Sequence, residues 1–242
     1  MNCYGKTDIG KKRSENQDCF GYKMLDSMTL IAVCDGMGGA NGGAIASRLA
    51  LDTFLSICER DLAPDMDYQQ TRGILSLAVS EASGSVFREA TNTPELSGMG
   101  TTLVAALIKE NETLIINVGD SRAYTLLAGE LEQVSHDHSY VQLLIDLGEI
   151  TPEEAEAHPQ KHVITKSVGV AESVKPDVDP LESDTPEYIL LCSDGLTGMV
   201  KNDDIKRIMR SSASIEEKVN TLVDLANENG GEDNITVLIA EL

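Results

Sequence analysis

Three apolar stretches of this chain run into an aspartate: LIAVCD at Asp35, LIINVGD at Asp120 and YILLCSD at Asp194. A fourth carboxylate, Asp233, stands just before NITVLIA, and a fifth, Asp18, closes RSENQD ahead of the apolar CFGY. One aspartate after a strand is most simply a turn former or a helix cap. Five of them at the ends of strands far apart in sequence suggest more. In a layered fold such ends meet on one rim, where several carboxylates repel one another unless cations neutralise them. Hard oxygen ligands with no histidine or cysteine among them suit magnesium or manganese, not zinc.

The elements that must position these residues follow from the apolar pattern. Strands are expected at 18–25 and 28–35, then helices at 42–60, with the apolar set Ile45, Leu49, Leu51, Phe54 and Leu55, and at 67–91. The runs TTLVAALI, TLIINVGD and RAYTLLAG are separated by turn signals at Glu110-Asn111 and Ala128-Gly129-Glu130, and read as an antiparallel meander. Further helices are expected at 138–147, 152–157, 202–210 and 214–229, and strands at 188–194 and over NITVLIA. Strands and helices come in runs without βαβ alternation, which predicts α+β layers.

Composition bounds the function. The 242 residues fit one large domain, 1–242, with no linker and no repeat. Forty acidic residues against 19 basic ones give a net charge of −21, and no basic cluster breaks the excess. Nucleic acid is therefore not an expected partner, because phosphate backbones are bound by basic faces. No apolar run approaches the roughly 18–20 residues of a membrane span, and the N-terminus lacks the apolar core of a signal peptide, so a cytoplasmic protein is expected. Five cysteines without CxxC spacing, Cys3, Cys19, Cys34, Cys58 and Cys192, read as reduced thiols, with Cys34 and Cys192 as small core residues.

The ordered set GKKRSENQD, CDGMGG, GMGTTL, VGDSRAY, DHS, VITKSVG, LLCSDGLT and GGEDNITVL resembles the metal-dependent, type 2C, serine/threonine protein phosphatases, and most of all their compact bacterial branch. The likeness runs from about residue 7 to residue 239. It implies a four-layer α-β-β-α sandwich, two antiparallel sheets flanked by helix pairs, with a two-metal site between the sheet ends. On this resemblance Asp35 bridges two Mn2+ or Mg2+ ions, and the Gly36 carbonyl adds a ligand to one of them. Asp194 and Asp233 serve the other, Asp18 supports the site, and Asp120 with Asp194 holds a weaker third ion. Arg13 grips the substrate phosphate, for which a guanidinium fork is suited. Two cations about 3.5–4 Å apart make a bridging hydroxide available for in-line attack on phosphorus. Gly38, Gly39, Gly42 and Gly43 are read as a turn letting backbone approach the metals.

Some positions depart from the family pattern. Met37 stands where animal members often have histidine, so that proton donor is not carried over; metal-bound water or another group must serve, and His162, ahead of VITKSVG, is one candidate, although it reads first as structural. His136 and His138 are read as structural. Lys166 replaces a common arginine, which puts a local ion pair in question. Residues 145–162 correspond to a flap beside the active site.

Three readings stay open at this level. One is a phosphatase of phosphoserine and phosphothreonine in proteins, acting as a monomer and opposing a bacterial serine/threonine kinase. The others are a non-catalytic phosphoprotein-binding relative and a two-metal hydrolase of small phosphate esters. Intact Asp35, Asp194 and Asp233 speak against the non-catalytic relative.

Overall fold

A computed structural model describes residues 1–39, 42–110, 112–181 and 186–242. Among these residues the chain forms β1 (Asn2–Asp8), β2 (Asp18–Leu25), β3 (Met28–Met37), α1 (Gly42–Asp61), α2 (Tyr68–Asn92), β4 (Gly100–Thr101), β5 (Leu103–Ile108), β6 (Thr113–Val118), β7 (Arg122–Leu127) and β8 (Glu130–Gln133). There follow α3 (Tyr140–Asp146), α4 (Pro152–Glu156), β9 (Asp177–Pro180), β10 (Tyr188–Cys192), α5 (Asp194–Thr197), α6 (Asn202–Met209), α7 (Ile215–Glu228) and β11 (Ile235–Glu241).

The strands make two antiparallel sheets, ordered β1-β11-β10-β7-β8 and β2-β3-β5-β6-β9, with β4 paired to β3. Three apolar layers hold them. Between the sheets lie Ile31, Val33, Val104 and Ala106 from one and Ile189, Leu191, Leu238 and Ala240 from the other. The alternate residues of the second sheet, Leu30, Ala32, Cys34 and Leu103, face outward onto Phe54, Leu51, Leu75 and Val79 of α1 and α2. On the other side, Leu190, Cys192, Val237 and Ile239 meet Ile205, Ile208, Leu222 and Val223 of α6 and α7. This is the expected α-β-β-α sandwich. Because both faces of each central strand are covered, the strands read as continuous apolar runs rather than as an alternation.

Local chemistry sets several boundaries. Asp67 caps α2 in a reciprocal capping box with Gln70, and Ser214 does the same for α7 with Glu217. The β7–β8 hairpin turns through Ala128 and Gly129, both at positive φ (50° and 78°), as a two-residue hairpin loop of type I′ requires. Asn111, half of the other turn signal, lies outside the described residues, as do Ala40 and Asn41 ahead of α1.

The meander expectation is corrected. β5 and β6 pair as foreseen, but β7 leaves them and pairs with β8 and β10 in the other sheet. The crossing occurs at Gly119, whose φ of +113° disfavours any other residue. The strand expected over 188–194 also stops early: it ends at Cys192, Ser193 takes the N-cap position, and Asp194 opens α5. On α1, Leu51, Phe54 and Leu55 are buried as expected, but Ile45 is exposed.

Candidate active site

In antiparallel sheets, the C-terminal end of one strand shares a rim with the N-terminal end of its neighbour. Asp35 near the end of β3 therefore stands directly opposite Asp18 at the start of β2. Asp120 follows β6, Asp194 follows β10, and Asp233 precedes β11, so all five fall at the same end of the two sheets. They also act on one another: the Asp35 carboxyl feels the charges of Asp18, Asp194, Asp120 and Asp233 together. The five aspartates singled out in sequence are thus one cluster.

Burial, reinforced by these neighbours, raises the Asp35 carboxyl well above the ordinary carboxylate range. Burial pushes Asp120 up to about 7, with Asp194 and Asp137 adding to it. It pushes Asp18 up to about 6, although Ser193 and Thr236 oppose the rise by donating hydrogen bonds to the charged form. Asp194 is raised by burial and by Asp233, and its neighbours His162 and Arg13 pull it back.

Asp18 bridges the sheets. Its Oδ2 accepts hydrogen bonds from Ser193 Oγ (2.7 Å), just past β10, and Thr236 Oγ1 (2.8 Å), in β11, both on the side of the opposite sheet. Its Oδ1 is buried with no hydrogen-bond partner, and so is Asp194 Oδ1. A buried carboxylate oxygen without a donor is costly, by about 1–3 kcal/mol or more. Hard divalent cations are the partners such oxygens lack, so the donor set fits them. Among the described residues no three acidic, histidine or cysteine side chains close into a ready-made cage. Instead Asp18 and Asp194 each disfavour the charge on Asp35, and each keeps one orphaned oxygen. Acidic groups drawn together in this way must be neutralised by protons or by metal.

The backbone beside Asp35 is tightly constrained. A Cβ on Gly36 would collide with Gly43 O and Gln17 O; β3, the start of α1 and the loop before β2 meet there. Gly36 and Gly43 thus let backbone segments approach one another, whereas a Cβ on Gly39 would meet nothing. Arg13 sits at the mouth of the cluster, with Nη2 2.6 Å from Asp233 Oδ2 and about half of its side chain exposed. Its loop is held by Asn234, whose Nδ2 donates to Ile9 O and Glu15 O and whose Oδ1 accepts from Gln17 N.

Sequence reasoning missed these supporting polar residues. Asn234, Ser193, Thr236, Thr102 and Ser121 all lie in the quoted motifs, and their signal was a polar residue inside or beside an apolar run. Thr102 links two of the aspartate-bearing segments. Its Oγ1 accepts from Asp35 N (2.9 Å) and shares a hydrogen bond with Ser121 Oγ (2.7 Å), tying the Asp35 strand to the turn that carries Asp120. His138 grips that turn from the other side: Gly119 N donates to its Nδ1, so its Nε2 carries the proton shared with Asp177. The structural reading of His138 holds, and Lys166 makes the ion pair in question, 2.9 Å from Asp177. His136 makes an exposed contact with Asp146. Cys34 and Cys192 are fully buried. Residues 140–163 form an excursion closed at its base by Ser139 and Ile164, and the exposed His162 near that base is the histidine whose charge reaches Asp194.

Carboxylates alone could serve any hydrolase that uses hard cations; an arginine at their mouth narrows the class to enzymes that handle phosphoryl groups. Comparison with known proteins supplies the family: the profile described as protein phosphatase 2C matches residues 7–228. The chain belongs to the protein phosphatase 2C family, whose members are metal-dependent. It is 37% identical over 242 residues to a Listeria monocytogenes protein called serine/threonine phosphatase stp, covering 100% of this chain and 96% of that one. Protein phosphatase PhpP of Streptococcus pneumoniae is 37% identical over 237 residues, 98% and 95% of the two chains. Among solved structures, serine/threonine phosphatase Stp1 from Staphylococcus aureus superposes with a TM-score of 0.93 at 37% identity, covering 99% of this chain and 94% of the other.

Proposed function

We infer that this chain is a metal-dependent serine/threonine protein phosphatase acting on phosphorylated proteins. The observation that carries the reading is the convergence of five aspartates with two orphaned buried oxygens beneath a single half-exposed arginine. Asp35, the Gly36 carbonyl, Asp194 and Asp233, supported by Asp18, would hold two Mn2+ or Mg2+ ions; Asp120 with Asp194 would hold a weaker third. When bound, such ions make water acidic enough to attack phosphorus at neutral pH. Arg13 binds two phosphate oxygens and offsets the charge that develops on them. To do so it must leave or share Asp233, and its exposure leaves room for that movement. Asn234 holds the Arg13 loop in register with Asp233, and Ser193 and Thr236 keep Asp18 Oδ2 engaged so that Oδ1 faces the cluster. His162 is the candidate to protonate the departing alkoxide.

Residues 1–242 serve in this reading as one catalytic domain, with 145–162 as a flap over the entrance. A cytoplasmic monomer opposing a serine/threonine kinase fits the acidic surface and the absence, among the described residues, of any helix long and apolar enough to cross a membrane. The test is turnover of a phosphothreonine peptide and of a small aryl phosphate, with manganese and with excess chelator. Hydrolysis of both that chelator abolishes is expected. Hydrolysis of the aryl phosphate alone favours a small-ester hydrolase, and binding without turnover favours a non-catalytic relative.

A further inference from the structure

A groove of about 700 Å³ opens between α1, the end of α2 and the loop that carries Arg13. Asp18, one of the five aspartates, lines it together with Glu15 and Asn16 of the Arg13 loop, so it borders the carboxylate cluster. Its wall includes Ile45, 38% exposed although the helical spacing marks it as a core residue, and the half-buried Leu49. Besides Asp18, its charged residues are Glu15, Asp52 and Glu89 against a single Arg48. Asp52 and Glu89 are solvent-exposed and make no ion pair with another described residue.

We propose that this groove is a specificity site for the substrate polypeptide, taking a lysine or arginine that flanks the phosphorylated residue. The proposal rests on the phosphatase reading and refines it. A phosphorylated residue seated at Arg13 leaves its own chain to run out of the cluster, and the groove, bordered by Asp18 and the Arg13 loop, is a path open to the residues that flank it. Lysine and arginine have an aliphatic stem and a charged head. Ile45 and Leu49 match the stem, and Asp52 and Glu89 match the head. An acidic flanking residue would meet carboxylates on the groove and a protein of net charge −21. The phosphate group of the same substrate is recognised separately, by Arg13 and the divalent ions, so the two charge preferences do not conflict.

The experiment compares phosphothreonine peptides in which a single lysine, or in a matched series a single glutamate, is moved through the flanking positions. It reads the ratio of kcat/KM for the lysine peptide to that for the glutamate peptide, which cancels changes common to all substrates. The wild-type protein with manganese should prefer lysine by about three- to tenfold at its best position, the range of one or two partly exposed charge pairs, and should lose the preference at high salt. Asp52→Lys with Glu89→Lys should bring the ratio to one or below, and the milder Asp52→Asn with Glu89→Gln should bring it partway. A wild-type ratio near one at every position overturns the proposal, as does a lysine preference that survives both double variants, since another surface or partner would then be responsible. Failure of the wild-type protein to hydrolyse any phosphopeptide is a different result: it strikes the phosphatase reading itself.

Discussion

Asp120→Asn removes one negative charge from the rim and leaves the shape of the side chain nearly unchanged. In the metal-free protein, burial and the neighbouring Asp194 and Asp137 push the Asp120 carboxyl from 3.8 up to about 7, which corresponds to ~4 kcal/mol once the group is ionised. The folded state holds this proton more tightly than the unfolded chain does. The group therefore favours folding below about pH 4, and that advantage is lost as the pH rises through about 7. Asparagine cannot ionise and keeps what aspartate loses. Partial exposure of Asp120, and the ability of Asp194 to take the proton in its place, reduce the expected gain to ~2–4 kcal/mol by about pH 8. At about 2–4 °C per kcal/mol for a chain of this size, the variant should melt roughly 4–16 °C higher in chelator. The assay is thermal unfolding from about pH 4.5 to 8, in chelator and again in saturating manganese. The advantage should be small at the acid end, grow with pH, and shrink or reverse with metal. An advantage that does not vary with pH, or a variant less stable than wild type at about pH 8 in chelator, would refute the repulsion argument.

Arg13→Ala removes a charge-assisted contact to the phosphate, so kcat/KM should fall by roughly 10–100-fold on both a phosphopeptide and an aryl phosphate, with KM raised; an unchanged KM contradicts phosphate binding. Asp120→Ala would lose the weaker third ion, which would help protonate the leaving alkoxide alongside His162; it should lower kcat more on the phosphopeptide than on the aryl phosphate, whose better leaving group needs little protonation, and equal losses on the two reject that role. Thr102→Val leaves the Asp35 amide and the Ser121 hydroxyl without their buried partner and should destabilise by about 2–4 kcal/mol. It should also raise the manganese concentration needed for half-maximal activity, and Thr102→Ser should restore most of both; a metal requirement that does not move would make Thr102 purely structural.

The sequence by itself determined the layers and the chemistry. Its apolar runs placed most strands and helices within a residue or two, since strand and helix periods are local properties of the chain. Its aspartates at strand ends pointed to a carboxylate cluster, because a chain reversal at a strand end and a carboxylate there are also local features. The ordered motifs carried the family, because eight of them in sequence constrain the identity far more tightly than any single aspartate does. Tertiary structure alone decided which neighbours each of these residues meets. RAYTLL could have paired with TLIINV; it lies in the other sheet, where pairing with β10 sets Tyr124 and Leu126 on the α6 and α7 layer and Ala123 between the two sheets. Ile45 fits the helical core stripe, yet it faces the groove, because the wall there is the Arg13 loop and not a sheet. Asp18 could be seen as one more carboxylate, but its division into an engaged Oδ2 and an orphaned Oδ1 depends on Ser193 and Thr236, 175 and 218 residues away. Hydrogen bonds over such separations leave no periodic mark in the chain; they exist only once two sheets have packed and brought their rims together.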